Sequence, residues 1–199
     1  PGPGQVTVQV QAVGVNPIDL ARVTGRMGAD ESKLPLALGF EASGVITAVG
    51  DGVDREVGDE VIAYSVLGAY ASALNADDSK IHDKPADLDF ERAAGLLLVG
   101  ETAADAVATA NVSAGDIVLV HGGSGAVGSV VVQLAVKAGA TVIATGSSAN
   151  QSFISGLGAL PVTYGPGLLD RVVAAAPGVI TSTIDAVGTD EAIDTSLSL

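Results

Sequence analysis

The chain has 199 residues, and its 23 Asp and Glu against 9 Lys and Arg give a formal net charge of −14. So acidic a balance argues against nucleic acids and anionic membranes as partners. The sequence has no cysteine, which excludes disulfides and thiolate metal sites. We find neither a signal peptide nor an apolar run long enough to span a bilayer, so we expect a cytoplasmic protein.

The first part of the chain shows short strands joined by turns, the pattern of a small β domain. Four strands are predicted there, one around Val6, Val8 and Val10, which alternate with polar residues, and three at residues 43–49, 57–63 and 67–74. The pattern changes near residue 88. We therefore interpret residues 1–88 as one domain, a small irregular β-barrel or sandwich, and residues 89–199 as a second domain.

The second domain alternates helical and strand patterns, which is typical of an α/β fold with a parallel sheet covered by helices. Helices are predicted at residues 91–98, 101–110, 152–157 and 168–175, and strands at residues 117–120, 141–145, 161–164 and 179–185. A further helix follows the first of these strands and ends at Gly139, a residue type that readily adopts the left-handed conformation of a helix C-cap.

A glycine-rich loop joins the first parallel strand to its helix. Its pattern, Gly123-x-Gly125-x-x-Gly128, follows a strand and opens a helix within a βαβ unit, as a dinucleotide-binding fingerprint requires. The first glycine permits a tight turn, the second lets a pyrophosphate approach the backbone, and the third lets the helix pack closely on the strand. We therefore assign cofactor binding to the six residues of the loop: Gly123, Ser124, Gly125, Ala126, Val127 and Gly128.

The segment after the second parallel strand favours NADPH over NADH. NAD sites usually carry Asp or Glu there, on the ribose 2′-hydroxyl, whereas this chain has neither between Asp116 and Asp170. A 2′-phosphate would meet no carboxylate, and Ser147, Ser148 and Asn150 can donate hydrogen bonds to it. No Arg or Lys lies beside these serines in the sequence. The alternative is a polar loop that only caps the next helix.

Several short motifs run through the chain beside the glycine loop: GVNPID at residues 14–19, LGFEASGV at 38–45, VGDEV at 57–61, GAY at 68–70 and GETA at 100–103. With these motifs the chain resembles the zinc-independent medium-chain dehydrogenase/reductases, and within them the NADPH:quinone oxidoreductase-like group. The resemblance implies a GroES-like catalytic domain followed by a Rossmann domain, with the active site in the cleft between them.

The resemblance also bears on the length of the chain. Relatives carry an extra strand before the position of Pro1 and further Rossmann strands beyond that of Leu199. We therefore expect the chain to be truncated at both ends relative to the family. The contact that the resemblance implies for a homodimer involves the late Rossmann strands, which lie outside this chain.

Two positions separate the chain from the zinc-dependent relatives. The segments that carry a cysteine and a histidine ligand in those relatives have Asn16 and Phe40 here. Zinc needs a tetrahedral set of deprotonated N, S or O ligands, and His82 and His121 are the only histidines. We therefore expect no catalytic metal. We expect His121 to pack against the glycine loop and His82 to lie in a loop.

Without a metal, the substrate must accept hydride readily. A quinone or an α,β-unsaturated carbonyl does so, because conjugation carries the negative charge to an oxygen that hydrogen-bond donors stabilise. The resemblance places Asn16 in the catalytic position of the zinc cysteine, with Tyr64 as a second donor. It places Thr102 at the nicotinamide amide, Tyr164 at the adenosine end and Val187 among the cofactor-binding residues. Asn16 is equally a good residue to begin a turn.

Three functions stay open at this point. The leading one is a zinc-independent, NADPH-dependent oxidoreductase that transfers hydride to a quinone or an enone. The second is the enoyl-reductase module of a larger synthase, and the third is a non-catalytic NADPH-binding sensor on the same scaffold. Some quinone reductases carry a tyrosine five residues after the asparagine, where this chain has Ala21. This departure argues against specificity for quinones.

Overall fold

A five-stranded antiparallel sheet forms the centre of the first of two units, Pro1–Leu98. The computed structural model describes residues 1–28, 32 and 34–199. The strands are β1 (Gln5–Val13), β2 (Glu41–Val49), β3 (Glu60–Tyr64), β4 (Ala73–Asp77) and β5 (Ile81–Asp83). They lie in the order β4-β1-β2-β3-β5.

The core of this unit comes from alternate residues of its strands. Val6 and Val8 of β1 are fully buried, as a strand with one covered face requires. They pack with Ala42, Ile46 and Val61, among other buried side chains. The described part of the unit also contains two short α-helices, α1 (Pro17–Val23) and α2 (Phe90–Ala94).

The unit extends further along the chain than the domain boundary expected at residue 88. Helix α2 contacts both β1 and β2, and Ser43 Oγ donates a 2.6 Å hydrogen bond to the carbonyl oxygen of Phe90. These contacts tie the start of the Ala-rich region to the first sheet. The first unit therefore ends at Leu98.

A four-stranded parallel sheet forms the second unit, Val99–Leu199. Its strands are β6 (Ile117–His121), β7 (Thr141–Gly146), β8 (Leu160–Thr163) and β9 (Ser182–Asp185), in the order β8-β7-β6-β9. Its helices are α3 (Leu97–Thr109), which begins at the end of the first unit, and α4 (Ala126–Lys137), α5 (Gln151–Gly156), α6 (Leu168–Ala175) and α7 (Asp190–Leu197).

Both faces of the parallel sheet are covered. Val118 and Val120 point into a core shared with α3, α4 and α5, whereas Leu119, between them, packs with Leu168 and Val172 of α6. A strand buried on both faces is apolar at successive positions, which is the run seen in β6. The parallel sheet expected for the second half of the chain is confirmed.

Several predicted elements differ from the structure. The strand expected at residues 67–74 is wrong for most of its length, because β4 begins at Ala73. The preceding backbone turns instead, and Tyr70 N–H donates to the carbonyl oxygen of Leu38. The helix expected at residues 91–98 is interrupted, since α2 ends at Ala94 with Gly95 as its C-cap. The sequence patterns did not indicate α1, β5 or α7.

No helix in the described part of the chain combines the length and the apolar character needed to cross a membrane.

The close approach of Gly128 to the backbone of Gly122 can be tested by measuring the stability of variants. A Cβ at Gly128 would overlap the carbonyl oxygen of Gly122. Gly128→Ala should therefore lower the free energy of unfolding by about 1–3 kcal/mol, the range for overpacking. Gly156→Ala is the control, because its Cβ would have no neighbour within 4 Å, and it should stabilise by about 0.4–1 kcal/mol. Urea unfolding of the two variants makes the comparison, and a Gly128→Ala protein as stable as wild type would contradict the packing.

Candidate functional site

The carboxyl ends of the four parallel strands bring most of the predicted cofactor-binding residues to one edge of the second unit. The glycine loop follows β6, Ser147 follows β7, Tyr164 follows β8, and Val187 lies two residues after β9. Ligands of open α/β sheets bind outside this edge, where the order of the strands reverses. In the order β8-β7-β6-β9 the reversal falls between β6 and β9.

Thr145 holds the glycine loop in place. Its side-chain oxygen accepts a 3.0 Å hydrogen bond from Gly122 N–H, and its carbonyl oxygen accepts a 2.8 Å bond from Gly123 N–H. A Cβ at Gly123 would lie 2.6 Å from the Cβ of Ala144, so the loop passes directly over β7. Thr145 is buried, and no sequence motif marked it.

The second half of the glycine loop leads into the first turn of α4. Gly125 is the N-cap of α4, and no side chain caps this helix. The first turn of a helix leaves N–H groups without intrahelical partners, and these groups favour an anion. Gly125 is exposed, and the nearest neighbour of a Cβ there would be Gly122 O, at 3.2 Å. A pyrophosphate can therefore approach the backbone at this point.

The turn after β7 is fixed by side chains that leave its serines on the surface. Gln151 Nε2 donates to the carbonyl oxygens of Gly146 and Ser147, at 3.2 and 2.9 Å. Ser147 is half-buried and Ser148 is exposed. Ser147 precedes a 3-10 turn without capping it, which weakens the alternative of a loop that only caps the next helix.

Asn150 links this turn to the glycine loop. Its Nδ2 donates a 3.0 Å hydrogen bond to Ser124 Oγ. The sequence suggested the Asn150 amide as a donor to a 2′-phosphate, but one of its two hydrogens is bonded to Ser124 in the structure. The same contact joins Asn150, Ser124 and the serine turn into one surface.

The remaining cofactor candidates are less closely joined. Val187 is a direct neighbour of the glycine loop, since a Cβ at Gly122 would lie 3.0 Å from its Cγ1. Tyr164 is 55% exposed, and its backbone N–H donates to Gly146 O at 3.3 Å. Thr102 is an exposed residue of α3, next to the buried Ala103, which packs in the core with β6.

The two predicted catalytic residues lie in the first unit. Asn16 is 7% exposed and donates a 2.9 Å hydrogen bond from Nδ2 to Oε1 of Glu41. Glu41 begins β2 and lies opposite Tyr64 in the β2–β3 pairing. The Asn16 amide therefore contacts Glu41 directly, and Tyr64 is the cross-strand neighbour of Glu41 at one end of the sheet.

Two buried carboxylates surround Asn16, and both are satisfied by hydrogen bonds. Glu41 Oε2 accepts from Leu98 N–H at 3.0 Å. Asp19 accepts from the backbone N–H groups of Asn16 and Gly39, at 2.9 and 3.1 Å. Buried charges need such partners, because an unpaired one is costly. Asn16 therefore starts α1 as the turn expectation implies, while its amide is held toward Glu41.

Tyr70 belongs to the same cluster. Partial burial, a hydrogen bond to Asp19 and the negative charges of Asp19 and Glu41 raise the pKa of Tyr70 to about 12. Tyr70 and Glu41 belong to the GAY and LGFEASGV motifs, but no pattern in the sequence indicates their contacts.

The two histidines belong to different units, His82 to the first and His121 to the second. His121 ends β6 directly before the glycine loop and is 1% exposed. His82 is exposed and lies in β5, so its placement in a loop was wrong. Its ring is tilted against that of Tyr64 at 6.4 Å between centroids. Among the described residues there is no group of three or more His, Asp or Glu side chains that could hold a metal ion.

Comparison with known families agrees with this two-part architecture. Residues 2–114 match the alcohol dehydrogenase GroES-like domain. The chain therefore belongs to the GroES-like alcohol dehydrogenase family, and its fold is a GroES-like domain followed by a Rossmann-type sheet of parallel strands.

Individual relatives show which kinds of family member the chain is similar to. The chain is 36% identical to the chloroplastic NADPH-dependent alkenal/one oxidoreductase of Arabidopsis thaliana over an alignment of 173 residues, which covers 80% of this chain and 45% of the relative. It is 39% identical over 147 residues to phthioceranic/hydroxyphthioceranic acid synthase of Mycobacterium tuberculosis, covering 73% of this chain and 7% of the synthase. Quinone oxidoreductase of Escherichia coli, solved with NADPH, superposes with a TM-score of 0.87 at 30% identity, covering 99% of this chain and 62% of that protein.

His121 generates a prediction on pH dependence. Burial lowers its pKa from 6.5, against smaller opposing effects of Asp185 and Glu191, and its Nε2 has no hydrogen-bond partner in the part of the chain that the structure describes. Below about pH 6.5 the unfolded chain binds a proton that the folded protein resists, so the free energy of unfolding should fall as the pH is lowered.

His121→Leu should remove this component of the acid dependence. Urea unfolding at pH values between about 5 and 8, the range in which histidine side chains ordinarily change charge, measures this component. His82→Leu is the matched control, since it changes an exposed histidine, and it should keep the wild-type slope. Equal slopes for wild type and His121→Leu would show that His121 is not held neutral by the fold.

Proposed function

We propose that the protein is an NADPH-dependent oxidoreductase that reduces an α,β-unsaturated carbonyl or a quinone. The observation that carries the proposal is the uncapped N-terminus of α4 at Gly125, at the strand-order reversal of the parallel sheet. The relatives support it, since one is named for NADPH-dependent reduction of alkenals and alkenones and another is a quinone oxidoreductase solved with NADPH. The chain spans 45% of the first and 62% of the second, so the activity of the whole protein is part of the proposal.

The residues present fit a dinucleotide. The glycine loop has room for a pyrophosphate, because Gly125 is exposed, Gly123 lets the loop pass close to β7, and Gly128 lets the helix pack on the turn after β6. Ser147 and Ser148 would donate hydrogen bonds to a 2′-phosphate, and Tyr164 would lie beside the adenosine. When bound, NADPH supplies the hydride.

In this proposal the first unit receives the substrate oxygen. Hydride adds to the electrophilic carbon of an enone, the double bond shifts, and negative charge develops on the oxygen; a proton from solvent then completes the saturated carbonyl. One amide hydrogen of Asn16 is engaged by Glu41 at 2.9 Å, so the orientation of the amide is set before the substrate binds. Its second hydrogen would donate to the developing oxyanion, with Tyr64 as the neighbouring donor. Preorganised donors of this kind are worth far more than flexible ones.

A second candidate is the enoyl-reductase module of a larger synthase. The 39% identity to a mycobacterial phthioceranic/hydroxyphthioceranic acid synthase favours it. The chemistry would be the same reduction of a conjugated carbonyl, on an acyl chain carried by the synthase.

The cytoplasmic location and the homodimer expected from the sequence stay predictions.

The test of the proposed function is turnover by the full-length protein. We expect NADPH oxidation with a panel of enals, enones and quinones to give activity with at least one conjugated acceptor. Gly125→Val should abolish NADPH binding in a folded protein, because φ −76° and ψ 170° at Gly125 suit valine while its side chain would occupy the pyrophosphate position. NADPH affinity by calorimetry and thermal unfolding provide the two readouts.

Gly156→Ala serves as the control, because it adds a side chain in open space on α5. Normal NADPH affinity in a folded Gly125→Val protein would place the cofactor elsewhere. NADPH binding without turnover of any acceptor would favour the non-catalytic sensor over the reductase.

Cofactor preference tests the serine turn. Replacing both Ser147 and Ser148 by alanine should reduce the preference for NADPH over NADH by roughly fivefold to 150-fold, since two neutral hydrogen bonds contribute about 0.5–1.5 kcal/mol each. NADH use should stay nearly the same. The double variant Ser152→Ala, Ser155→Ala alters two exposed serines of α5 and should leave the ratio of kcat/KM values as in wild type. The serine assignment fails if both double variants give the same ratio.

A further inference from the structure

Gln151 holds the two peptide groups that follow β7. Its Nε2 donates to the carbonyl oxygens of Gly146 and Ser147, at 3.2 and 2.9 Å. The Ser147 carbonyl also accepts from Asn150 N–H at 3.0 Å, and the Gly146 carbonyl accepts from Tyr164 N–H at 3.3 Å. Each of the two carbonyl oxygens therefore has two donors, and its direction is set within the protein.

The direction of these carbonyl groups determines that of the N–H groups that follow them. In a planar trans peptide the C=O bond and the next N–H bond point in opposite directions. The Gly146 carbonyl points toward β8, since it accepts from Tyr164 N–H directly after that strand. Strand β7 lies between β8 and β6, so Ser147 N–H points to the side of β6, from which the glycine loop leaves. In the next peptide group, Ser148 N–H points away from Gln151.

These two N–H groups are open to a ligand. Neither donates to another group in the part of the chain that the structure describes. Ser147 is half-buried and Ser148 is exposed. Successive backbone N–H groups of a turn can bind an anion, so a phosphate at this turn would meet backbone donors as well as the two serine hydroxyls.

Backbone donors suit this turn because no cationic side chain is near it in the sequence. Residues 138–170 contain no Lys or Arg. A hydrogen bond from a backbone N–H to a charged oxygen is charge-assisted, and it is about twice as strong as a bond between neutral groups. A turn without a cation can in this way favour a dinucleotide with a 2′-phosphate.

We propose that Gln151 is a positioning residue for the 2′-phosphate of NADPH, and that the N–H groups of Ser147 and Ser148 are further donors to this phosphate. The proposal rests on the proposed function and adds donors to the serine hydroxyls already assigned. Gln151 does not touch the ligand. It holds two carbonyl oxygens toward β8 and α5, so that N–H groups face the phosphate in their place.

The experiment measures the dissociation constants of NADPH and NADH by calorimetry, for the full-length protein and its variants. Gln151→Met keeps the length of the side chain and removes the donor. It should lower the preference for NADPH by roughly twofold to tenfold, the range of one neutral hydrogen bond, while NADH affinity stays close to wild type. Gln151→Lys keeps a donor to the carbonyl oxygens and adds a positive charge, so it should raise the preference by roughly twofold to fivefold.

Gln133 provides the matched control. It is an exposed residue of α4, and its Nε2 donates at 3.0 Å to the carbonyl oxygen of Ser129 in the same helix. Gln133→Met and Gln133→Lys make the same chemical changes away from the turn. Both should keep the wild-type ratio of dissociation constants at ordinary ionic strength, where salt screens an exposed charge.

A background without the serine hydroxyls separates the two kinds of donor. The N–H groups remain when Ser147 and Ser148 are both replaced by alanine. Gln151→Met should therefore lower the NADPH preference in this background by the same factor as in wild type. If it has no effect there, Gln151 acts through the hydroxyls alone and the proposal is overturned.

The remaining outcomes are also decisive. If Gln151→Met weakens both dinucleotides by the same factor, Gln151 only supports the turn and the proposal is overturned. If wild type prefers NADPH and Gln151→Met keeps the ratio, the proposal fails while the proposed function stands. Wild type that binds neither dinucleotide overturns the proposed function itself. Should Gln151→Met not fold, Gln151→Lys decides, since a ratio that does not rise above that of wild type contradicts a phosphate at this turn.

Discussion

The contact between the start of α4 and the turn after β6 is the constraint on which the second unit depends. Gly128 lies against Gly122 O so closely that no side chain fits. This approach sets the direction in which the helix leaves the sheet and brings its first turn to the carboxyl edge. Thr145 completes the arrangement by holding Gly122 and Gly123 over β7. The anion-binding character of the loop is thus a consequence of packing as much as of its hydrogen-bond donors.

The sequence predicted the second unit better than the first for physical reasons. Strand β6 is apolar at successive positions because both its faces are covered, and α4 has a clear helical repeat ending at Gly139, whose φ of +91° fits the expected left-handed cap. Helix α1 shows no such signal. Leu20 and Val23 are exposed, and its buried residue is Asp19. The feature that could have indicated α1 is the capping pair Asn16 and Asp19.

The candidate site was likewise predictable from the sequence only in part. The glycine loop could be read from the sequence because its residues are contiguous and each glycine has its own steric reason. The contact of Glu41 with Asn16 joins distant parts of the chain, and that of Thr145 with Gly122 joins two different strands' ends. No local pattern encodes such contacts, since they depend on strand register and on where a helix begins. The resemblance to a known family indicated Asn16, but the partner that orients its amide became visible only in the structure.

The charge imbalance of the chain also bears on the speed of binding. The chain has a net charge of −14 and a dinucleotide is itself an anion, so the two repel each other. At long range the ligand responds to the summed charge of the chain and not to single side chains. Salt screens this long-range repulsion over about 8–10 Å at ordinary ionic strength, so added salt should accelerate encounter. Once a ligand is seated, short-range hydrogen bonds from the N–H groups at the start of α4 would be screened less, because little solvent would lie between donor and acceptor. Association and dissociation rates would therefore respond differently to ionic strength, a kinetic consequence of an uncapped helix N-terminus in an acidic chain.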